Sequence, residues 1–182
     1  MKKSLLTVVL CLVLVSCGTI GKVTERQENG KFKATKKAET VKSEHFDLDS
    51  KKTLLIVPNG EYMLGMAKNL NYFERVITFE DFELEIIRAE KQEEVGSLSG
   101  RIGLSNAYNK YKPFLYIHLD NNEENANYLQ LKLVNPKNAE ELFVTEIYMD
   151  RVWVGVHDNN TFNPLFNGLI DYIEANSKTF NK

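Results

Sequence analysis

The sequence predicts an α/β fold: a single mixed β-sheet of about four to six strands with helices packed on it, filling residues 44–182. Three observations carry this. Short apolar runs bounded by turn residues read as strands. Between the early runs, apolar residues recur at i, i+3, i+4 and i+7, the spacing of one helix face. In the second half, two alternating runs flank Asn135-Pro136-Lys137-Asn138 and read as a hairpin.

The elements follow in order. Thr53–Val57 is an apolar run stopped by Pro58-Asn59-Gly60. Met63, Met66, Ala67, Leu70 and Phe73 then form a helical stripe. Val76-Ile77 is a short strand. Thr78-Phe79-Glu80-Asp81 reads as a capping box opening a helix. Phe79, Phe82, Ile86 and Ala89 share one face of that helix, and Glu80, Glu83 and Glu90 turn outward. Gly96–Gly100 interrupts it. Leu104, Ala107, Tyr108 and Tyr111 mark another helix, stopped by Pro113. Phe114–Leu119 is an apolar strand. Leu129, Leu131 and Leu133 alternate with Gln130 and Lys132, and Glu141–Met149 returns as the partner strand. Val152–His157 alternates and is expected to be a further strand. Asn163 is expected to cap a final helix, with Pro164 at its first position and Phe166, Leu169, Ile170 and Ile173 as its apolar face.

The amino terminus differs in kind. Met1-Lys2-Lys3 precedes an apolar stretch, Leu5–Ser16, of 12 residues. A spanning helix needs about 20 residues, so this is the length of a signal-peptide apolar region. Leu14-Val15-Ser16-Cys17-Gly18 follows, with aliphatic Leu14 and small Ser16 placed before the thiol. This order resembles the signal peptide and lipobox of bacterial lipoproteins. The resemblance implies a signal peptide over 1–16, removed to leave Cys17 as a lipidated first residue. Covalent lipid contributes about 0.8 kcal/mol per buried CH₂, and more than one chain gives durable anchoring. Gly18, where such proteins can carry Asp, leans the expected address towards the outer membrane, with the domain facing the periplasm or the cell surface. Cys11 would leave with the signal, so no thiol would remain for a disulfide or a cysteine-ligated metal.

Residues 18–43 hold seven Lys/Arg and three Glu, whereas 44–182 hold 14 Lys/Arg and 22 Asp/Glu. With few apolar residues, Gly18–Ser43 is expected to be a flexible basic tether on which the domain rides. The acidic domain argues against nucleic-acid binding, which uses a basic face.

The element order, carried by Thr53–Pro58, Phe73–Arg88, Phe114–Leu119 and the hairpin Leu131–Val144, resembles the amino-terminal domain of TolB. It is also similar to the CsgG curli-secretion lipoprotein and to the lipoprotein activators of penicillin-binding proteins. The resemblance implies a role in envelope assembly, cell-wall synthesis or secretion. Tyr111-Lys112-Pro113 stands where those families often have Gly-Ala-Asp. No spare pair of roughly ten-residue alternating apolar strands exists for a pore hairpin.

Chemistry-bearing residues are sparse. His45, His118 and His157 have no i, i+3 or i, i+4 partner histidine, so no helical metal pair forms, and no cofactor is expected. Asp120-Asn121-Asn122-Glu123-Glu124 lacks the spacing of a calcium loop and reads as a polar turn. His157-Asp158 adjoin in sequence, which seldom makes a working pair. Neither Gly-x-Ser-x-Gly nor a phosphate-cradling loop occurs. Trp153, Arg151 and Tyr148 form a candidate partner surface, since Trp, Tyr and Arg are enriched at interface hot spots. The expected function is therefore a non-enzymatic, lipid-anchored protein-binding module. The alternative is a small hydrolase or ligand-binding lipoprotein using acidic residues near Asp120 or Asp158.

Overall fold

The computed structural model describes residues 23–149 and 158–180. Cys17 and the lipobox, Arg151, Trp153, His157 and the strand expected at Val152–His157 lie outside them.

Six strands form one open mixed sheet: β1 (Glu39–Ser43), β2 (Leu55–Val57), β3 (Val76–Thr78), β4 (Leu115–Asn121), β5 (Tyr128–Asn135) and β6 (Glu140–Tyr148), in the order β1-β6-β5-β4-β2-β3. β4, β2 and β3 run parallel, and β4, β5, β6 and β1 pair antiparallel. Among the described residues five α-helices accompany the sheet: α1 (Glu61–Lys68), α2 (Phe79–Arg88), α3 (Gln92–Val95), α4 (Arg101–Lys110) and α5 (Phe162–Asn176).

Local chemistry explains the boundaries. Gly60 enters α1 at φ 123°, a conformation that side chains resist. Thr78 caps α2, its hydroxyl accepting from Asp81 N–H at 3.1 Å, as the capping-box residues predict. The same helix turns Glu80 and Glu83 to solvent and buries Phe82 and Ile86, but it ends at Arg88, so Ala89 is exposed.

Because strand side chains alternate, the sheet has two buried faces. Leu55, Val57, Leu115, Ile117, Leu131, Leu133 and Phe143 point to the first, where α1, the turn after it and α5 cover them with Met66, Leu70, Phe166, Leu169, Ile170 and Ile173. Ile56, Tyr116 and Val134 point to the second, met by Phe82, Ile86, Val95, Leu104, Ala107 and Tyr108 of α2–α4. Each such fully buried aliphatic or aromatic side chain is worth about 1.5–3 kcal/mol. The β2–α1–β3 crossover thus lies on the first face and the β3–α2–β4 crossover on the second. Strand order reverses between them, as right-handed crossovers require.

Two expectations are corrected. Residues 23–43 are not a tether. Val23 lies over Gly65 of α1, Asn69 of α1's carboxyl end donates to the Thr24 carbonyl at 3.1 Å, and Phe32 is 2% exposed in the core. Glu39–Ser43 is the edge strand β1. One buried aromatic and a set of hydrogen bonds to side-chain amides outweigh a polar composition. Asn163, in turn, is not the cap of α5. It lies within the first turn, fully buried, and its amide donates to the Lys33 carbonyl at 2.8 Å and to Asn159 Oδ1 at 3.1 Å. Thr161 precedes the helix without a side-chain cap. Pro164 is still tolerated, since first-turn N–H groups have no helical acceptor.

Candidate ligand-binding cleft

Beyond Tyr116 of β4 and Val134 of β5, helices α2–α4 no longer cover the second face, and a half-open cleft of about 770 Å³ remains. Its floor is built by strand alternation. Tyr116, His118 and Asp120 follow one another along β4, and Val134 and Lys132 stand beside Tyr116 and His118 on β5. Glu141 of β6 pairs in register with Val134. One wall is the amino end of α2, with Phe79, Glu80 and Glu83; Asn59, from the loop after β2, joins it. Asn59 Oδ1 accepts from Glu80 N–H at 3.0 Å, which fixes that wall. The other wall is the loop Ser97–Gly100 and Arg101 at the start of α4.

This wall is held close by a glycine. A Cβ on Gly103 would lie 1.7 Å from the Ser97 carbonyl oxygen, so only glycine lets α4 touch the loop that enters it. Ser105 Oγ then ties α4 to the β5–β6 turn by donating to the Lys137 carbonyl at 3.2 Å. Ile102, 79% exposed, stands beside Arg101 at the start of α4.

The position follows from topology. Asn59 lies two residues past the carboxyl end of β2, Phe79 directly follows that of β3, and His118 and Asp120 lie towards that end of β4. Open α/β sheets bind ligands in the crevice outside the carboxyl ends of their strands, where strand order reverses.

The electrostatics are lopsided. Glu80, Glu83, Asp120, Glu123 and Glu141 line the cleft, against the cations Arg101 and Lys132. Lys132 is committed to Glu141 at 3.1 Å. His118 Nε2 lies 3.6 Å from Asp120 Oδ2, and both side chains are half-exposed. Burial pushes the Tyr116 hydroxyl above its ordinary range; Arg101 opposes this and Glu141 adds to it. Tyr116 therefore stays a neutral hydrogen-bonding group at the base of the cleft, with its ring edge-on to Phe79 at 5.9 Å. The arrangement can receive positive charge over a floor of neutral and paired groups.

Past the cleft the same sheet face continues. Glu146 accepts from Gln130 Nε2 at 2.8 Å and Asn122 Nδ2 at 2.9 Å. Tyr128 and Tyr148 then meet edge to face at 5.5 Å, and Tyr148 is 48% exposed.

Asp120 and Tyr148, singled out in the sequence for different roles, thus share this face; Trp153 and Arg151, grouped with Tyr148, lie outside the described residues. Asp158 does not join them. It sits in a 3₁₀ turn, Asp158–Asn160, and its carboxylate adds to the burial that pushes the Tyr62 hydroxyl of α1 upward, against the other face. His45 is bound to Asn176 Oδ1 at 3.0 Å. Among the described residues no group of three or more His, Cys, Asp or Glu could hold a metal ion. None of the described helices is long and apolar enough to cross a membrane. Sequence reasoning missed Arg101, Lys132 and Glu141. For Lys132 and Glu141 the only signal was the amphipathic alternation of β5 and β6, which placed Lys132 opposite the leucine face; Arg101, at the start of α4, had none.

The class defined here is an open-sheet α/β domain with an acidic cleft at its strand-order switch. Comparison with protein-family models, curated proteins and solved structures found no match.

Proposed function

We propose that the chain is a lipid-anchored envelope protein, held through Cys17, whose domain binds a basic, extended segment of a periplasmic or outer-membrane protein. The observation that carries this reading is the cleft itself. Five carboxylates against two cations line a trough that is half-open rather than enclosed. An enclosed pocket suits a small molecule, whereas an open trough leading to Tyr128 and Tyr148 suits a chain laid along it. Exposed Ile102 and Tyr148 supply the apolar and aromatic anchors that protein interfaces favour. The lipobox and the missing nucleophile motif support an anchored binder over an enzyme. Envelope assembly, cell-wall synthesis and secretion are the settings that the element order suggests.

The test is site-specific photo-crosslinking in intact cells. Probes replacing Ile102 and Tyr148 should trap the same partner, and a probe replacing Lys68 on α1 should not. A partner trapped equally from Lys68 would sink this reading.

A second reading has one observation in its favour: His118 and Asp120 lie together in a cleft that also holds Glu123. A small hydrolase or ligand-binding protein would use them for proton transfer or for hydrogen bonding. Asp120→Asn would then abolish turnover or small-ligand binding while leaving the crosslink from Tyr148 intact.

A further inference from the structure

The segment that precedes β1 forms an outer layer on the first face of the sheet, opposite the cleft. Lys31 pairs with Asp171 at 2.7 Å, Phe32 is bonded to Asn167, the Lys33 carbonyl accepts from Asn163, and Thr35 N–H donates to the Asn159 carbonyl at 2.8 Å. The partner numbers fall as the segment number rises, so the chain runs antiparallel along α5. At the other end of this layer Val23 is seated on α1.

Two consequences follow. First, only six peptide steps separate Cys17 from Val23, a reach of roughly 20 Å at full extension. A chain lipidated at Cys17 therefore keeps Val23, and with it the Gly65 surface of α1, within about that distance of the lipid. Second, the layer carries charge suited to such a surface. Lys31 is neutralised by Asp171 and Glu174, and exposed Glu25 and Glu28 lie at the Val23 end beside Arg26, but Lys33, Lys36 and Lys37 are exposed, have no ion-pair partner among the described residues, and make the Lys33–Lys37 end of the layer positive. Anionic headgroups attract such side chains within a Debye length of the surface, about 10 Å at ordinary salt.

We propose that the layer Val23–Lys37 lies against an anionic bilayer, with Lys33, Lys36 and Lys37 on lipid phosphates, so that the acidic cleft opens away from the membrane. This rests on the reading of Cys17 as the lipidated residue. The bilayer that attracts Lys33, Lys36 and Lys37 repels the carboxylates of the cleft, which favours this orientation. The occupant of the first face is then the lipid surface, and the second face is left free for a protein.

The test uses the full chain in two steps. Labelled palmitate should enter the wild-type protein and be lost in Cys17→Ser; a wild type that takes no label overturns the anchor and this orientation with it. A fluorophore is then placed by Ala34→Cys or by Glu83→Cys in lipidated protein, in vesicles of phosphatidylcholine with phosphatidylglycerol and a nitroxide-headgroup lipid. Quenching should be several-fold stronger at position 34 than at 83. Lys33→Glu, Lys36→Glu and Lys37→Glu together should bring quenching at 34 down to the level seen in phosphatidylcholine alone, with palmitate labelling unchanged. Equal quenching at the two positions in a labelled protein overturns the orientation while leaving the anchor standing.

Discussion

Asn167 holds Phe32 from both sides of its peptide backbone. Its Oδ1 accepts from Phe32 N–H at 2.8 Å and its Nδ2 donates to the Phe32 carbonyl at 2.9 Å. A helix side chain thereby does what a neighbouring strand would do for an extended residue. The Phe32 ring can then enter the core edge-on to Phe166, at 6.1 Å between ring centres. Asn167→Leu should remove both hydrogen bonds while keeping the volume. Leaving the Phe32 backbone groups unpaired should cost about 1–3 kcal/mol. Denaturant unfolding measures the loss, and hydrogen exchange at the Phe32 amide should rise with it.

Phe32→Ala asks whether residues 23–38 belong to the domain. Truncating a buried Phe costs about 3–5 kcal/mol. An unfolding midpoint unchanged by this substitution would return the segment to the status of a tether.

The carboxyl-terminal turn should be acid-labile. Hydrogen bonds to Asp49 from the Ser177 and Thr179 hydroxyls, then from Lys178 N–H and the Tyr72 hydroxyl, hold its carboxyl well below the ordinary carboxylate range against the opposing effect of burial. A depressed folded-state pKa means that this stabilisation is complete above the unfolded value of 3.8 and is lost as pH falls below it towards the folded one. Below about pH 4, Ser177–Phe180 should therefore lose protection from exchange before the sheet does. Asp49→Asn should show that weakened protection already at neutral pH and no further step on acidification.

Gly103→Ala should damage the cleft more than the fold. The added methyl cannot coexist with the Ser97 carbonyl, so the loop Ser97–Gly100 must move or α4 must shift. Overpacking of this kind costs about 1–3 kcal/mol. Amide shifts should concentrate in Ser97–Arg101, and partner crosslinking from position 102 should fall while crosslinking from position 148 persists.

What the sequence disclosed was local. The cap at Thr78, the hairpin around Asn135–Asn138 and the alternation of Leu129, Leu131 and Leu133 are each written within a few residues. The strands and helices built on them formed the mixed sheet that those signals implied. The role of residues 23–43 was hidden because composition cannot report that Asn167 and Asn163 supply backbone partners to Phe32 and Lys33 from more than a hundred residues away. Asn163 looked like a cap for the same reason: an Asn beside a Pro fits that position locally, and only the packed segment redirects its amide. The cleft was hidden more deeply. Glu80, Arg101, His118, Lys132 and Glu141 come from different elements, and only strand register and the packing of α2 and α4 bring them together. Asp120 and Tyr148 could be noticed individually, but not that they share one face of the sheet.

The most direct test of the central claim, that the acidic cleft receives a basic segment, is amide chemical-shift mapping with a lysine-rich peptide. Shifts should cluster at Asn59, Glu83, Leu98, Arg101, His118 and Lys132, and should vanish in a Glu80→Lys, Glu83→Lys variant whose unfolding midpoint is unchanged. Shifts that scatter over α1 and α5, or that survive this charge reversal, would contradict it.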